Sequence, residues 1–91
     1  MANNLTSNPW NLDTASTTDL HPVGPVFIGQ IEFYDYTSDT DTCTLTDRNG
    51  VVVWKGNGTS DLQTVRSGMI GWTLGLKLTT LSAGKVLVYI K

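Results

Sequence analysis

The chain has 91 residues, of which 40% are hydrophobic and 15% charged, and its formal net charge is −2. This length allows one domain, and the composition is too hydrophobic and too weakly charged for an intrinsically disordered protein. The six basic residues are scattered singly and form no stripe that could bind phosphates, which argues against nucleic-acid binding. Since folding removes only about 64% of the surface of so small a chain from water, we expect oligomerisation or attachment to a larger scaffold.

Residues 1–25 are rich in Asn, Thr, Ser and Pro and contain only isolated apolar side chains, so they predict an extended N-terminal arm. A short extended piece is expected around residues 10–14. Because an exposed indole is costly in water, Trp10 must either fold back on the domain or dock on a partner. We expect the arm to carry contacts between subunits, through five partner-binding residues: Leu5, Pro9, Trp10, Leu12 and Leu20.

Residues 26–91 form the predicted β-domain, because apolar and polar residues alternate from Val26 onward. The first strand, residues 26–36, is expected to place Phe27 on the same face as Ile31. The second strand, residues 42–47, points Cys43 to the same side as Leu45, which makes this lone cysteine a small core residue.

Asp47-Arg48-Asn49-Gly50 lies between two strand-forming segments and predicts a β-hairpin with a type I′ or related turn. A weak strand is expected over residues 62–66. Residues 70–80 alternate strictly and predict one long strand with a single apolar face, and residues 85–91 form the last strand. Trp54 and Trp72 lie inside predicted strands, so we expect both to be core or half-buried residues.

Short strands joined by polar turns fit an all-β protein. The specific prediction is a small antiparallel β-sandwich or squashed, jelly-roll-like barrel, with the arm at its N-terminus.

The chain offers few groups for chemistry, since it has one histidine and one glutamate. His21 is expected to be a polar loop residue, because the sequence contains no Gly-x-Ser-x-Gly motif or similar motif that would supply a nucleophile for it to activate. Asp35, Asp39 and Asp41 share one loop, but their spacing matches no calcium motif and favours a solvated turn. One cysteine and one histidine are too few for a zinc site, and the glycines lack the context of a phosphate loop. We therefore expect no catalytic, metal or cofactor site, and no enzyme.

The first ten residues show no secretory signal, and no apolar run approaches the about 20 residues that span a membrane. We therefore expect a protein made in the cytoplasm, without a membrane partner.

Four segments carry a resemblance to a known group of proteins: residues 1–4, residues 7–15, residues 47–54 and residues 84–90. Together with the layout of an arm before a Thr-rich β-domain, they resemble small proteins encoded among the head and structural genes of tailed bacteriophages. The resemblance implies a decoration or cement protein, which sits on the capsid as a trimer or dimer and clamps neighbouring capsomers. It also implies that the partner is the major capsid protein or another virion protein. Because such proteins have no catalytic residues, the resemblance assigns none to this chain.

Two functional hypotheses follow from the sequence. The first is a structural virion protein that binds and stabilises the capsid shell through many modest contacts, assembled in the host cytoplasm. The second is a carbohydrate- or receptor-binding β-sandwich module of the phage head or tail surface, which uses exposed Trp or Tyr rings as stacking platforms.

Overall fold

The computed structural model describes residues 3, 5, 8–15, 20 and 24–90. These residues form an all-β sandwich of two antiparallel sheets, as predicted from the sequence. The strands are β1 (Trp10–Leu12), β2 (Pro25–Tyr34), β3 (Thr42–Thr46), β4 (Val52–Asn57), β5 (Val65–Arg66), β6 (Gly71–Leu74), β7 (Lys77–Leu81) and β8 (Lys85–Ile90).

The larger sheet has five strands in the order β1-β8-β2-β5, and β6 also pairs with β2. The smaller sheet has three strands in the order β4-β3-β7. The chain crosses from one sheet to the other after β2, β4, β6 and β7. Of the weak strand predicted over residues 62–66, only β5 forms. Leu62 has a φ of 60°, which interrupts an extended backbone.

The core lies between the sheets, because alternate side chains of both point inward. Cys43 is fully buried among them, as predicted, and burial raises the pKa of its thiol to about 11. The thiol therefore remains protonated at neutral pH and packs as a small apolar group. The fully buried side chains are Phe33, Leu12, Ile28, Ile31, Leu45, Leu76, Leu78, Val86, Val88 and Cys43.

The N-terminal segment folds back and becomes part of the larger sheet. β1 pairs antiparallel with β8, which places Trp10 opposite Val88 and Leu12 opposite Val86. Only 8% of Trp10 is exposed, and Leu12 is fully buried. Of the two alternatives for Trp10, the structure therefore shows the one in which the indole packs on its own domain, so residues 10–12 belong to the β-domain's sheet.

Two asparagine side chains fasten this segment. The Asn8 amide donates to the Ile90 carbonyl oxygen (2.6 Å) and accepts from the Ile90 N–H (2.9 Å). Asn3 accepts from the backbone N–H groups of Asp13 and Thr14, each at 2.9 Å. Since an amide offers both a donor and an acceptor, each side chain takes the place of a backbone neighbour next to β1.

A β-bulge in β2 changes which residues face the core. The pairing of β2 with β8 shifts between Ile28 and Gln30, because one extra residue is inserted there. Ile28 and Ile31 consequently both point inward and are fully buried, although residues three apart point to opposite faces in a regular strand. The prediction that Phe27 shares a face with Ile31 is therefore wrong, and Phe27 turns to the outer surface.

The single long strand predicted over residues 70–80 is also wrong, because it is divided into β6 and β7 in different sheets. Gly75, with a φ of 78°, lies at the break and redirects the chain. Leu78 after the break is fully buried, whereas Trp72 before it is 69% exposed. Trp72 is thus not a core residue, while Trp54 is half-buried against the core, as predicted.

The predicted hairpin is confirmed, since β3 and β4 pair through the turn at Asn49 and Gly50. Gly50 has a φ of 86° and Asn49 has no positive φ, so the loop is not type I′. The Gly50 N–H donates to the Asp47 carbonyl (3.1 Å) and the Asp47 N–H to the Val51 carbonyl (2.9 Å). These bonds define a three-residue loop, in which a type I turn is followed by a left-handed glycine.

The loop between β2 and β3 is organised around the Asp41 carboxylate. Its Oδ2 accepts from the backbone N–H groups of Thr37 (3.0 Å) and Ser38 (3.1 Å) and from the Thr37 hydroxyl (3.1 Å). Its Oδ1 accepts from the Ser82 hydroxyl (3.1 Å), which ties the loop to the end of β7. The Thr37 N–H is the main group that lowers the pKa of Asp41 below its usual value.

We expect the Asp41 carboxylate to make stability pH-dependent. Because its pKa is lowered in the folded state, its contribution is complete above the ordinary value of 3.8 and disappears as pH falls through the lowered value. Urea unfolding at neutral pH and in acid should show a steeper acid loss for the parent than for Asp41→Asn. Asp39→Asn, in the same loop, is the control for the loss of one negative charge. Equal acid losses in the parent and Asp41→Asn would contradict this role.

Candidate functional site

The outer face of the larger sheet carries the candidate site. Since strand residues alternate, the neighbours of the buried β2 and β8 residues project outward. The register places Gln30 opposite Tyr89, Glu32 opposite Leu87, and Tyr34 opposite Lys85. Amide, carboxylate and aromatic side chains are thereby gathered on one surface.

A buried carboxylate lies in the middle of this face. Glu32 is only 8% exposed, and Arg66 lies directly opposite it on β5. The Arg66 Nε donates to Glu32 Oε2 (2.5 Å), and the Tyr89 hydroxyl donates to Glu32 Oε1 (2.7 Å). We call Glu32, Arg66 and Tyr89 the Glu32 cluster.

The Glu32 cluster positions an aromatic ring. The hydrogen bond to Glu32 is the main cause that raises the pKa of Tyr89, so the phenol stays protonated and remains a donor at neutral pH. Both carboxylate oxygens accept a hydrogen bond, and the Arg66 guanidinium balances the charge. Glu32 is consequently an anchor for its two neighbours rather than a free base.

Apolar side chains on and beside β6 are exposed at one edge of the outer face. Phe27 and Trp72 lie opposite each other and make an edge-to-face contact, with ring centroids 5.1 Å apart and an interplanar angle of 87°. Trp72 and Met69 are each 69% exposed and Leu74 is 44% exposed. We call Phe27, Met69, Trp72 and Leu74 the apolar rim, and exposed groups of this kind mark contact surfaces.

An open groove of about 430 Å³ lies between the apolar rim and the end of β8. Met69 belongs to both the groove and the apolar rim, and Tyr89 links the groove to the Glu32 cluster. The lining residues are Asn8, Pro9, Gly29, Gln30, Met69, Tyr89 and Ile90.

Within the described residues, no group of three or more His, Cys, Asp and Glu side chains is placed to hold a metal ion. In the Asp35, Asp39 and Asp41 loop, the Asp41 carboxylate accepts hydrogen bonds from the loop itself. His21 lies outside the described residues. The part of the chain that is described also contains no helix long and apolar enough to cross a membrane.

The five residues predicted to bind a partner lie in different parts of the fold. Trp10 and Leu12 are core side chains in this conformation, because β1 turns them toward the space between the two sheets. Leu5 and Leu20 are half-buried against the same core, and Pro9 lines the groove. Of the predicted set, Pro9 is therefore the residue that the fold brings into the candidate site.

Sequence reasoning missed the Glu32 cluster and the exposure of Trp72. Glu32 is the chain's single glutamate and lies in an apolar strand, which was a usable signal for a paired, buried charge. Its partners Arg66 and Tyr89 come from distant strands, so no local pattern could identify them.

Comparison with known proteins gives no match. No protein-family model matches the chain, and no curated protein or solved structure is found to be similar to it. Function is therefore inferred from the residues and contacts described above.

Proposed function

We propose that the chain is a non-catalytic structural protein of a bacteriophage virion, which binds the capsid shell and stabilises it as a decoration or cement protein. The apolar rim is the observation that carries this proposal, since Trp72 and Met69 are each 69% exposed on a folded domain. An exposed tryptophan beside other apolar side chains favours protein contact, because aromatic anchors dominate the energy of interfaces. The partner is the major capsid protein or another virion protein.

The size of the apolar rim suits a partner present in many copies. Its exposed side chains offer on the order of 400 Å², given aromatic side-chain areas of up to about 250 Å². A stable two-protein complex buries about 800 Å² on each partner, so a single rim contact is weak. On a lattice, a dimer or trimer binds several sites at once, and the overall affinity then exceeds that of any single contact.

Trp72→Ala is expected to lower the affinity for capsids by roughly tenfold or more, because it removes the anchor of the apolar rim. The fold should be retained, since most of the indole is in solvent. Binding is measured by co-sedimentation with capsids assembled without this protein, and folding by circular dichroism melts. Leu62→Ala is the control, because Leu62 is 49% exposed but lies outside the apolar rim.

Two results would contradict this proposal. One is a Trp72→Ala protein that co-sediments with capsids as strongly as the parent. The other is the absence of the chain from purified virions by quantitative mass spectrometry, which should instead find it at a copy number comparable to that of the capsid lattice.

A further inference from the structure

We propose that the groove beside Tyr89 binds a neutral oligosaccharide, with the Tyr89 ring as a stacking platform and Gln30 as the hydrogen-bonding residue. This inference is tested separately from the capsid-binding proposal, because it rests on Tyr89 and Gln30 whereas that proposal rests on Trp72, although the two surfaces share Met69.

The Tyr89 ring is fixed before any ligand arrives. Its hydroxyl is held by Glu32, and Glu32 is held in turn by Arg66. Tyr89 is half-buried and lines the groove, so part of its surface remains accessible. A preorganised ring loses little conformational entropy on binding and presents a flat apolar surface, which is what the C–H face of a sugar ring requires.

The polar groups of the groove match hydroxyl groups. Gln30, which lies opposite Tyr89 in the sheet, has two N–H donors and a carbonyl acceptor. A sugar hydroxyl both donates and accepts, so one amide can bind two neighbouring hydroxyls. Pro9 and Met69 add apolar walls, and this mixture of apolar lining with few polar groups is typical of small-ligand sites.

Charge favours a neutral ligand over an acidic or basic one. None of the described side chains that line the groove is charged. Glu32 and Arg66, which lie on the same outer face, form an ion pair and neutralise each other. The groove volume, about 430 Å³, lies at the lower end of the about 300–1,000 Å³ of ligand pockets, which suits a short saccharide. Because the groove is open, a longer chain can continue beyond it.

The test is an NMR titration of the isotopically labelled protein with maltotriose, cellotriose, mannotriose and triacetylchitotriose, with trigalacturonate as the acidic probe. At least one neutral trisaccharide should shift the backbone amide signals of Gln30 and Tyr89 at millimolar concentration. The acidic probe should not shift them. Tyr89→Leu should weaken binding roughly tenfold. Tyr89→Phe, which keeps the ring but loses the bond to Glu32, should weaken it less.

Two controls separate this site from the fold and from the apolar rim. Thr80→Ala, at an exposed position of the smaller sheet, should bind saccharide as the parent does. Trp72→Ala should also keep saccharide binding, even where it loses capsid binding. The proposal is overturned if no neutral trisaccharide shifts the groove signals of the folded protein, if only trigalacturonate does, or if Tyr89→Leu binds like the parent.

Discussion

Removal of residues 1–20 is expected to unfold the domain rather than to leave a stable core. The deletion takes away β1, and with it Trp10 and Leu12, whose side chains fill the space beside Val86 and Val88. Truncating one buried leucine to alanine costs about 2–5 kcal/mol, and whole domains are stable by only about 5–15 kcal/mol. Losing an entire strand and two core side chains should therefore abolish the cooperative melt in circular dichroism.

Single substitutions provide the controls for this deletion. Leu12→Ala should lower the free energy of unfolding by about 2–5 kcal/mol, since Leu12 is fully buried. Leu62→Ala should change it by at most about 0.5 kcal/mol, because Leu62 is 49% exposed in a loop. A truncated protein that melts cooperatively near the temperature of the parent would show that β1 is dispensable for the fold.

Gly84→Ala is expected to be strongly destabilising for two separate reasons. Gly84 has a φ of 85°, which an alanine adopts at a cost of about 1–2 kcal/mol. An added Cβ would also lie 2.6 Å from the Tyr34 carbonyl oxygen and 2.9 Å from the Tyr36 nitrogen. Since both atoms belong to the backbone, the turn before β8 would have to move, which adds roughly 1–3 kcal/mol.

Gly50→Ala is the matched control for this substitution. Gly50 has a φ of 86°, but an added Cβ there would meet nothing within 4 Å. It should therefore cost only the backbone strain, and the difference between the two variants in urea unfolding measures the steric clash. Equal losses of stability at both positions would mean that the contacts of Gly84 with β2 and the residues after it are unimportant.

Local patterns predicted the parts of the fold that depend on neighbouring residues. Alternation from Val26 onward indicated strands, and Asn49-Gly50 placed the hairpin, because turn geometry is encoded within a few residues. The burial of Cys43 could be predicted because Cys43 and Leu45 are two residues apart in one strand and therefore point to the same side. The Glu32 cluster was not predictable in this way, since its residues come from β2, β5 and β8.

What the sequence by itself determined is the all-β class, the hairpin and the core position of Cys43. Only the tertiary structure decided that β1 pairs with β8, that Trp72 is exposed and that Glu32 joins Arg66 to Tyr89. The physical reason is that alternation fixes the side of a residue only relative to its neighbours. The inserted residue in β2 and the left-handed glycine at Gly75 each reverse the side to which the following residues point. Whether those residues are buried then depends on whether the other sheet covers that side.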